Sequence, residues 1–581
     1  MRHIAPSTLP ALARRPRSLG LGWLLPALLV GCVGDVKDDD SGDSGAAEGP
    51  ADGGTEGSAD GTADGTADGA ADGTADGGDT GPIAVDNDGD GVTDLDGDCD
   101  DADPGVFPGA PDPACDGIDQ ACTGWADGVY GPEDDVQALI DAAPDGSTLC
   151  LEAGSWAQDL HLDGPRALTV RGAGPAATLL SPDAGGRMIT AAGGAALRLE
   201  GLGFVAGETA GARGEEGLFD VQDATLTLSG VEVRGLACGR AEGCPAALAQ
   251  VGPGARFEAE DLTVQDIRLH LGRAGAAQGL IFGAAGAAIR LDRAQLFDLR
   301  LSAEGQLAGG LLPYAPEGSV ELIDVSVAES GITGDESATG VLGGARDLSW
   351  TGVSAQRLDF VFGQTVYLMV TQGGAASTIA HSDVRAVRLS GGDFTVGFYV
   401  NSGALQIQHS RFADVQLSGS GGIGYGLLVA DNGQLDLNHV DLIGNGVSNH
   451  SAESAGLSCR YHAVCSVQNS SFNYNHGGEV LTNAAGAIFV DASSALTAAH
   501  VQLWANLGAR GETINLADGR GVAITGGVLG EPNFVNLEGS PEAWDLHLQP
   551  GSPLIDAGDP AETDLDGTRA DIGSYGGPLA R

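Results

Sequence analysis

Residues 404–440 read ALQIQHSRFADVQLSGSGGIGYGLLVADNGQLDLNHV and contain the unit from which most of the chain is built. The segment LQIQ at 405–408 alternates apolar and polar residues, and LDLN at 435–438 does the same one unit later. Such alternation over a few positions is typical of a β-strand with one buried face. A further apolar run, GLLV at 426–429, precedes the second segment, so each unit holds at least two short strands.

The same pattern, apolar-x-apolar-x-corner-x-x-apolar, recurs at steps of 26 to 32 residues. A fixed period is the signature of a repeat protein, in which each unit completes the core of its neighbour. Short strands with almost no helical periodicity exclude leucine-rich, ankyrin and tetratricopeptide repeats. We therefore predict an all-β parallel solenoid of about 13 coils, with repeat starts at Leu168, Leu197, Leu226, Phe257, Ile289, Val320, Leu348, Ser377, Leu405, Leu435, Cys465, Leu496 and Val522.

The fourth residue after each repeat start tests this register. With the exception of Arg293, these residues are Gly, Asp, Asn or His, the types that best tolerate a positive φ. A tight corner between two strands requires that backbone conformation. We predict corners at Gly172, Gly201, Gly230, Asp261, Arg293, Asp324, Gly352, His381, His409, His439, Asn469, His500 and Gly526, and we interpret the four histidines as corner residues rather than as metal ligands or catalytic groups.

The start of the repeat region has the features of a helical cap. Asp134 or Asp135 is placed to cap a short amphipathic helix, which is followed by PDGSTLCL at 144–151 and GSW at 154–156. This opening resembles that of the pectate-lyase-like superfamily. The resemblance implies a right-handed parallel β-helix over residues 131–530 with an N-terminal cap helix. It also implies kinship with polysaccharide lyases and glycoside hydrolases.

Residues 531–581 have a different character, with GSPLIDAGD at 551–559 and DIGSYG at 571–576. These segments resemble the C-terminal signature of many bacterial surface β-helix proteins. We expect this part of the chain to cover the open strand edge of the last coil, because an exposed edge invites aggregation. Asp564 and Asp566 are interpreted as turn-forming residues rather than as calcium ligands.

Residues 1–31 have the organisation of a bacterial signal peptide. Arginines precede an apolar run at 19–30 that is too short to span a bilayer. The sequence LVGC at 29–32 resembles the lipobox of bacterial lipoproteins. That resemblance implies acylation of Cys32 and anchoring in the outer membrane, at the surface of a Gram-negative cell. Residues 32–80 are rich in Asp, Gly, Ala and Thr and have nothing to bury, so we expect a disordered tether.

Residues 81–130 contain cysteines and are rich in aspartates, some of which recur at a regular spacing. Asp86, Asp88 and Asp90 occupy the first, third and fifth positions of an EF-hand-type loop, a spacing that directs carboxylates to one calcium ion. Gly97 stands where the loop needs its bidentate acid, so Asp96 or Asp98 has to supply that contact. The segment resembles the MopE-type Asp/Cys repeat of bacterial surface lipoproteins. We predict one structural Ca²⁺ ion held by Asp86, Asp88, Asp90, Val92, Asp94, Asp96 and Asp98.

The cysteines indicate an oxidising compartment. Cys238 with Cys244 and Cys459 with Cys465 share one short spacing, and each pair is predicted to close a small disulfide loop. The remaining cysteines besides Cys32 allow three pairings, which the sequence does not distinguish. They are Cys99, Cys115, Cys122 and Cys150.

Charge and the distribution of charged residues limit the function. Lys+Arg 28 against Asp+Glu 80 gives a formal net charge of −52, which excludes ordinary binding to nucleic-acid phosphates. Three acids of the repeat region lie beside turn-forming residues, and we expect them to be solvated: Asp431, Asp491 and Asp518. The spacing of the arginines predicts no common site for Arg293, Arg385, Arg388, Arg411 and Arg460.

These observations favour a non-catalytic role. We expect a lipid-anchored cell-surface protein with a calcium-stabilised stalk, whose solenoid displays an extended surface for a polysaccharide or a partner protein. The alternative is a polysaccharide lyase or glycoside hydrolase of the pectate-lyase-like superfamily. Hydrolysis requires two carboxylates at a fixed separation, whereas elimination requires a base, usually Arg or Lys, together with calcium. A coil face carrying two facing carboxylates would separate the hypotheses.

Overall fold

The structure, a computed structural model, describes residues 85–181, 188–205, 217–237, 247–271, 277–372, 377–419, 423–448, 451–477, 485–508, 514–516 and 524–580. The signal peptide with Cys32, the tether, the Cys238/Cys244 pair, Asp518 and Val522 lie outside these residues. They remain predictions. Among the described residues, no helix combines the length and apolar character needed to cross a bilayer.

The described residues form a parallel β-solenoid, which confirms the predicted fold class. Its single α-helix is Val136–Ala142, and Asp135 caps it by accepting a hydrogen bond from the backbone N of Ala138 (3.1 Å). Val136 and Ile140 bury the apolar face of the helix in the core of the first coils. Two 3₁₀ turns, Asp94–Asp96 and Pro541–Ala543, complete the helical elements described.

Three columns of parallel strands make up the solenoid, and we call them faces A, B and C. Face A consists of Thr148–Leu151, Ala167–Gly172, Ala196–Glu200, Thr225–Ser229, Arg256–Glu260, Ala288–Asp292, Tyr314–Ile323, Ala338–Thr351, Ser377–Ala380, Ala404–Gly419, Gln434–Ile443, Val464–Gln468, Ala495–Ala499 and Ile524–Thr525. The short strand Val129–Tyr130 pairs in parallel with the first of these strands.

Face B follows the predicted corners. It consists of Gly154–Ala157, Thr178–Ser181, Gly203–Val205, Glu232–Arg234, Thr263–Leu271, Gln295–Ala303, Ser326–Gly334, Ser354–Val361, Asp383–Gly391, the second parts of Ala404–Gly419 and Gln434–Ile443, Gly446–Val447, Ser471–Asn473, His476–Gly477 and Gln502–Trp504.

Face C precedes each return to face A. It consists of Leu160–Asp163, Ile189–Ala192, Gly217–Gln222, Ala247–Val251, Ile281–Gly283, Val366–Gln372, Thr395–Asn401, Leu428–Asp431, Leu457–Arg460, Ile488–Val490 and Ile514–Leu516, with parts of Tyr314–Ile323 and Ala338–Thr351. Short strands before it are Ala277–Gln278, Leu307–Ala308, Ile423–Gly424 and Ser451–Ala452.

The register of face A matches the sequence repeat. Leu168 pairs with Leu197, which pairs with Leu226, and the same column continues through Leu405 and Leu435 to the later coils. Stacking equivalent apolar residues in this way produces one hydrophobic core that extends from the cap helix to the last described coils. Each coil therefore depends on its neighbours for burial.

The predicted corners have the predicted backbone. From Gly201 to Gly526 every residue of the column has a positive φ, including Arg293 (53°). Gly172 differs because it still belongs to strand Ala167–Gly172, and the positive φ of this coil falls on Gly174 instead. A second column of left-handed corners, which we did not predict, lies within the face B strands or directly after them, at Asp266, Asp298, Glu329, Arg357, Ala386, Asp414, Tyr474 and Ala505.

Buried amides satisfy the backbone beside the second corners. Asn475 donates through Nδ2 to Asn506 Oδ1 (2.8 Å), while its own Oδ1 accepts a hydrogen bond from Asn445 Nδ2 (3.0 Å). The same oxygen accepts the backbone N–H of Asn445 (3.0 Å). Because all three side chains are buried, water cannot hydrogen-bond to these polar groups. The stacked amides supply the hydrogen bonds instead.

The Asp/Cys segment is joined to the solenoid rather than held away from it as a stalk. Disulfides link Cys99 to Cys122 and Cys115 to Cys150, and Cys150 belongs to the first strand of face A. Asp127 also accepts a hydrogen bond from the backbone N of Thr148 (3.1 Å) through Oδ1. Part of this segment therefore closes the N-terminal edge of the solenoid.

The C-terminal segment folds back along the side of the solenoid. The backbone N of Asp559 donates to Asn469 Oδ1 (2.7 Å), and the backbone N of Ser574 donates to Asp441 Oδ2 (2.8 Å). Arg385 donates to the carbonyl oxygen of Trp544 (2.7 Å). These contacts are made to coils well before the last one, and the expected covering of the last strand edge stays a prediction. Its hairpin strands are Phe534–Asn536 and Asp545–Leu548.

Candidate active site

Two charged residues end neighbouring strands of face C. Asp431 is the last residue of Leu428–Asp431 and Arg460 the last of Leu457–Arg460, and the two are register partners. Cys459 belongs to the buried core, so the alternation of a strand directs Arg460 to the outer side. Cys459 and Cys465 form a disulfide that closes the turn directly after Arg460. The pairing and the bridge together fix this edge.

The Arg460 guanidinium is the centre of the cluster, and its side chain is only 7% exposed. Its Nε lies 3.2 Å from Glu453 Oε2 and 3.7 Å from Asp431 Oδ1. Both carboxylates contact one nitrogen, so their nearest oxygens are at most about 7 Å apart. Two acids from different coils thus meet at one buried cation.

Aromatic rings hold the guanidinium in place. Arg460 Cζ lies 3.6 Å from the ring centroid of Tyr425 and 4.8 Å from that of Tyr461. A cation over an aromatic face is attracted by the quadrupole of the ring, most strongly when water is excluded. Phe394 continues the row, with its ring stacked 6.0 Å from Tyr425. These rings fix the orientation of Arg460 toward its two carboxylates.

A second aromatic row approaches Asp431 from the preceding coils of face C. The Tyr399 hydroxyl donates a hydrogen bond to Asp431 Oδ2 (2.9 Å). The ring of Tyr367, one coil earlier, lies 5.2 Å from the ring of Tyr399. Both tyrosines are only partly buried. The cluster therefore has an aromatic surface beside its carboxylates.

The two acids have perturbed proton affinities. Burial raises the pKa of Glu453 to about 7, against the lowering effect of Arg460, and the charges of Asp431 and Asp491 add to the increase. Burial also raises the pKa of Asp431, where Arg460 and the Tyr399 hydroxyl oppose the shift. Burial lowers the pKa of Arg460, but the adjacent carboxylates outweigh it and leave that pKa above its usual value.

Three buried polar atoms of the cluster make no hydrogen bond, although the two carboxylate oxygens among them form the ion pairs with Arg460 Nε. They are Asp431 Oδ1, Glu453 Oε2 and Arg460 Nη1. Buried polar atoms nearly always find a partner, because leaving one unsatisfied costs about 1–3 kcal/mol. Three such atoms in one cluster, beside partly exposed aromatic rings, are typical of a site that completes its hydrogen bonds with a ligand.

The expectation that Asp431 is a solvated turn acid was wrong. Its side chain is 14% exposed and paired, because the strand continues to Asp431 before the turn begins. The sequence predicted no common site for the arginines and gave no sign that Arg460 pairs with two acids. It gave no sign of Glu453 either, because Glu453 precedes its strand in a segment without periodicity. Asp491 lies in the turn, as expected, and accepts a hydrogen bond from the backbone N of Tyr461 (2.7 Å).

The other arginines do not join this cluster. Arg293 pairs with surface acids of face A, of which Asp261 is 2.7 Å away. Arg388 pairs with Asp414 (2.7 Å). Arg385 and Arg411 both pair with Asp383 beneath the C-terminal segment.

Three of the four predicted corner histidines form a stack. The ring of His409 lies 5.2 Å from that of His381 and 4.9 Å from that of His439. His439 Nε2 contacts Glu562 Oε2 (2.8 Å) of the C-terminal segment. Burial lowers the pKa of His409 to about 4, and the neighbouring histidines add to the decrease. The arrangement is that of corner residues covered by the C-terminal segment.

The structure brings part of the predicted calcium loop together. Asp86, Asp88 and Asp90 each offer a carboxylate oxygen, and these oxygens lie within 4.8 Å of one another. Partial burial raises the pKa of Asp88, although a backbone hydrogen bond from Asp90 opposes this, and the charges of Asp90, Asp98 and Asp86 raise it further. Asp98 is 8% exposed, and its Oδ2 has no hydrogen-bond partner.

The remaining predicted ligands have other local roles. The backbone N of Val92 donates to Asp90 Oδ1 (2.8 Å). Asp94 and Asp96 form the 3₁₀ turn Asp94–Asp96, where Asp96 Oδ2 accepts a hydrogen bond from Thr93 Oγ1 (2.8 Å). In the C-terminal segment, Asp566 Oδ1 accepts the backbone N–H of Thr568 (2.9 Å), as its turn-forming interpretation requires.

A scan against protein-family models and a search of curated proteins returned no match. Among solved structures, the chain is similar to the catalytic domain of a GH87 α-1,3-glucanase in complex with tetrasaccharides (10% identity, 69% of this chain and 67% of that chain, TM-score 0.31). It is also similar to the A-module of the Azotobacter vinelandii mannuronan C-5 epimerase AlgE6 (15%, 62% and 94%, TM-score 0.21). A PL6 alginate lyase in complex with a trisaccharide also matches (8%, 68% and 92%, TM-score 0.24). The likeness is one of β-helical architecture alone.

The raised pKa of Glu453 predicts a pH dependence of stability. Between pH 4.5 and 7 the folded protein keeps a proton on Glu453 that the unfolded chain releases, so this contribution to stability falls as pH rises. The substitution Glu453→Gln should reduce the change in unfolding free energy across this pH range by about 1–2 kcal/mol. The free energy of unfolding, measured with urea at pH 5 and pH 7.5, tests this. The exposed control Glu317→Gln should keep the wild-type slope, and an unchanged slope in Glu453→Gln would contradict the assignment.

Proposed function

We propose that the protein is a glycoside hydrolase that acts on a polysaccharide at the cluster of Asp431, Glu453 and Arg460. The observation that carries the proposal is that one buried guanidinium holds two carboxylates within about 7 Å of each other. Cleavage of a glycosidic bond uses such a pair. One carboxyl group protonates the leaving oxygen, and the other carboxylate acts as nucleophile or base.

The environments of the two acids support different roles. With a pKa of about 7, much of Glu453 remains protonated at neutral pH, so it is suited to be the general acid. Burial raises the pKa of Asp431 as well, but the Tyr399 hydroxyl and Arg460 favour its ionised form and oppose this shift. A separation of at most about 7 Å includes the range of about 5–5.5 Å used by retaining enzymes. We therefore assign Asp431 as the nucleophile.

The charges at the site favour hydrolysis over elimination. A lyase removes a proton with a base, and Arg460 is the basic residue in contact with both acids. The adjacent carboxylates hold the pKa of Arg460 above its usual value, so this guanidinium stays protonated. A protonated Arg460 positions Asp431 and Glu453 but has no lone pair with which to accept a proton.

This proposal replaces non-catalytic display, which the sequence favoured. That hypothesis depended on the expectation that no charged residues converge on the repeat region. Asp431 and Arg460 meet on adjacent coils, and Glu453 joins them from the loop between those coils. Binding of a polysaccharide along the solenoid remains part of the proposal, as the first step of catalysis.

Substitution of either acid should abolish hydrolysis. Glu453→Gln removes the proton donor and Asp431→Asn removes the nucleophile, so each should lower kcat by about 10²–10⁴-fold. The wild-type rate should fall as pH rises above about 7, because Glu453 then loses its proton. Release of new reducing ends from a panel of polysaccharides measures this. The controls Glu317→Gln, an exposed residue, and Asp436→Asn, a half-buried residue of face A, should match the wild type, and equal activity in all four variants would refute the assignment.

We also propose that the loop around Asp86 holds a structural Ca²⁺ ion. The support is the geometry of Asp86, Asp88 and Asp90 together with the buried, unpartnered Oδ2 of Asp98. Calcium prefers six to eight oxygen ligands, and such an ion would neutralise carboxylates that otherwise repel one another. Because Cys99 and Cys115 bridge this region to Cys122 and Cys150, the ion would stiffen the segment that closes the solenoid.

Calcium binding is tested on the mature chain from residue 32 onward by isothermal titration. We expect a dissociation constant of about 10⁻⁴–10⁻³ M, as in extracellular calcium modules. Asp98→Asn should weaken binding at least tenfold. Asp141→Asn, on the cap helix, should leave it unchanged. Equal affinity in Asp98→Asn and the wild type would remove Asp98 from the ligand set.

A further inference from the structure

The surface of face C around the proposed acids has a distinctive combination of charge and aromatic rings. Val366–Gln372, Thr395–Asn401, Leu428–Asp431 and Leu457–Arg460 are successive strands of this face, paired in parallel. Asp431 and Arg460 are register partners, whereas Tyr399 lies two residues before the partner of Asp431 and Tyr367 pairs with Val396, so the four residues form a line that runs obliquely across this face. An extended ligand lying along this oblique line would meet the tyrosines before it reaches the acids.

We propose that this line binds a neutral polysaccharide, with Tyr367 and Tyr399 stacking on its sugar rings beside the point of cleavage. The proposal rests on the proposed function of the same site and adds the substrate class and the residues that select it. It has two parts, the use of the aromatic rings and the exclusion of acidic sugars.

The rings have the geometry of a sugar-binding surface. Tyr367 and Tyr399 lie 5.2 Å apart on adjacent coils, and a sugar unit in an extended chain has a length similar to the coil spacing of about 4.8 Å. Each ring offers an apolar face to the C–H groups of a sugar, and the Tyr399 hydroxyl, which donates to Asp431, can still accept a hydrogen bond. Consecutive sugars would then occupy consecutive coils.

The position of Tyr399 connects the two parts of the site. Its hydroxyl donates to Asp431, the proposed nucleophile, so a sugar that stacks on this ring lies next to the reacting carboxylate. The ring of Tyr367 lies 5.2 Å from the ring of Tyr399, so it extends the surface that begins beside Asp431. The aromatic surface is therefore continuous with the acids.

The charges of the cluster select against acidic sugars. Arg460 is already in contact with Asp431 and Glu453, and Asp491 adds a third carboxylate that acts on both. A uronate entering beside these groups would face like charges at short range, and such juxtaposition costs several kcal/mol. A neutral sugar meets no such penalty, and its hydroxyl groups can donate hydrogen bonds to the carboxylate oxygens of Asp431 and Glu453, which contact Arg460 only as ion pairs.

Binding is tested with the full-length mature Glu453→Gln protein, so that hydrolysis does not consume the ligand. Soluble α- and β-linked neutral glucans are compared with polygalacturonate and alginate by affinity electrophoresis, each with calcium and with a chelator. We expect retardation by at least one neutral glucan and by neither uronate. Stronger retardation by a uronate in either condition overturns the proposal. The absence of retardation by every glycan overturns it too.

The role of the rings is tested with variants of Tyr367 in the same background. Tyr367→Ala should weaken binding to the neutral glucan about tenfold, and Tyr367→Phe should retain it, because stacking needs the ring and not the hydroxyl. Phe297→Ala, an exposed aromatic residue on face B, is the matched control and should leave affinity unchanged. A circular dichroism spectrum identical to that of the parent establishes folding. Unchanged affinity in Tyr367→Ala contradicts the proposal. An affinity of Tyr367→Phe as low as that of Tyr367→Ala also contradicts it.

The two proposals fail separately. Wild-type protein that cleaves a uronate polysaccharide, with loss of cleavage in Glu453→Gln, supports hydrolysis or elimination at this site and overturns the neutral substrate. Retention of a neutral glucan by wild type and Glu453→Gln alike, without new reducing ends, supports the binding line and overturns the catalytic function.

Discussion

Parallel hydrogen bonding between successive coils is the constraint on which the rest of the structure depends. Each strand pairs with the strand one coil earlier and the strand one coil later, so residues about one repeat apart in sequence become neighbours in space. The corner residues make this possible, because a positive φ at positions such as His409 and His439 turns the chain between faces without interrupting the stacking. The apolar column, the amide ladder of Asn445, Asn475 and Asn506 and the histidine stack all follow from this one register.

The sequence predicted those features that repeat. The apolar alternation identified face A with its pairing partners, and residue types that tolerate a positive φ identified the first corner, even where Arg293 breaks the composition. The second corner column escaped prediction because Glu329, Arg357 and Ala386 carry no compositional signal for that conformation. The surrounding hydrogen bonds impose it there, which overrides the local preference of the residue.

The candidate site could not be predicted for a related reason. It combines Asp431 from one coil, Arg460 from the next and Glu453 from the connection between them, so no local motif contains it. Pairing register alone would have placed Asp431 beside Arg460, since the two are equivalent residues of successive face C strands. Glu453 carried no such signal, because its position depends on how a loop of irregular length returns to the strand. Similar reasoning applies to the C-terminal segment, whose contacts with Asp441 and Asn469 follow no repeat.

A purely structural role gives a poor account of the Arg460 cluster. Removing charges from water is expensive, and replacing a buried ion pair by packed apolar residues is often neutral or stabilising by about 1–4 kcal/mol. Elsewhere on face C apolar residues fill the interior without such a pair, as Phe398 and Val400 do on the strand that carries Tyr399. The hydrogen bonding of the cluster is moreover incomplete, because Asp431 Oδ1 and Glu453 Oε2 contact Arg460 only as ion pairs and Arg460 Nη1 makes no hydrogen bond. Burial that raises the pKa of Glu453 to about 7 is unfavourable for folding at neutral pH and useful to a general acid. The proposed hydrolysis accounts for both the retained charges and their incomplete hydrogen bonding.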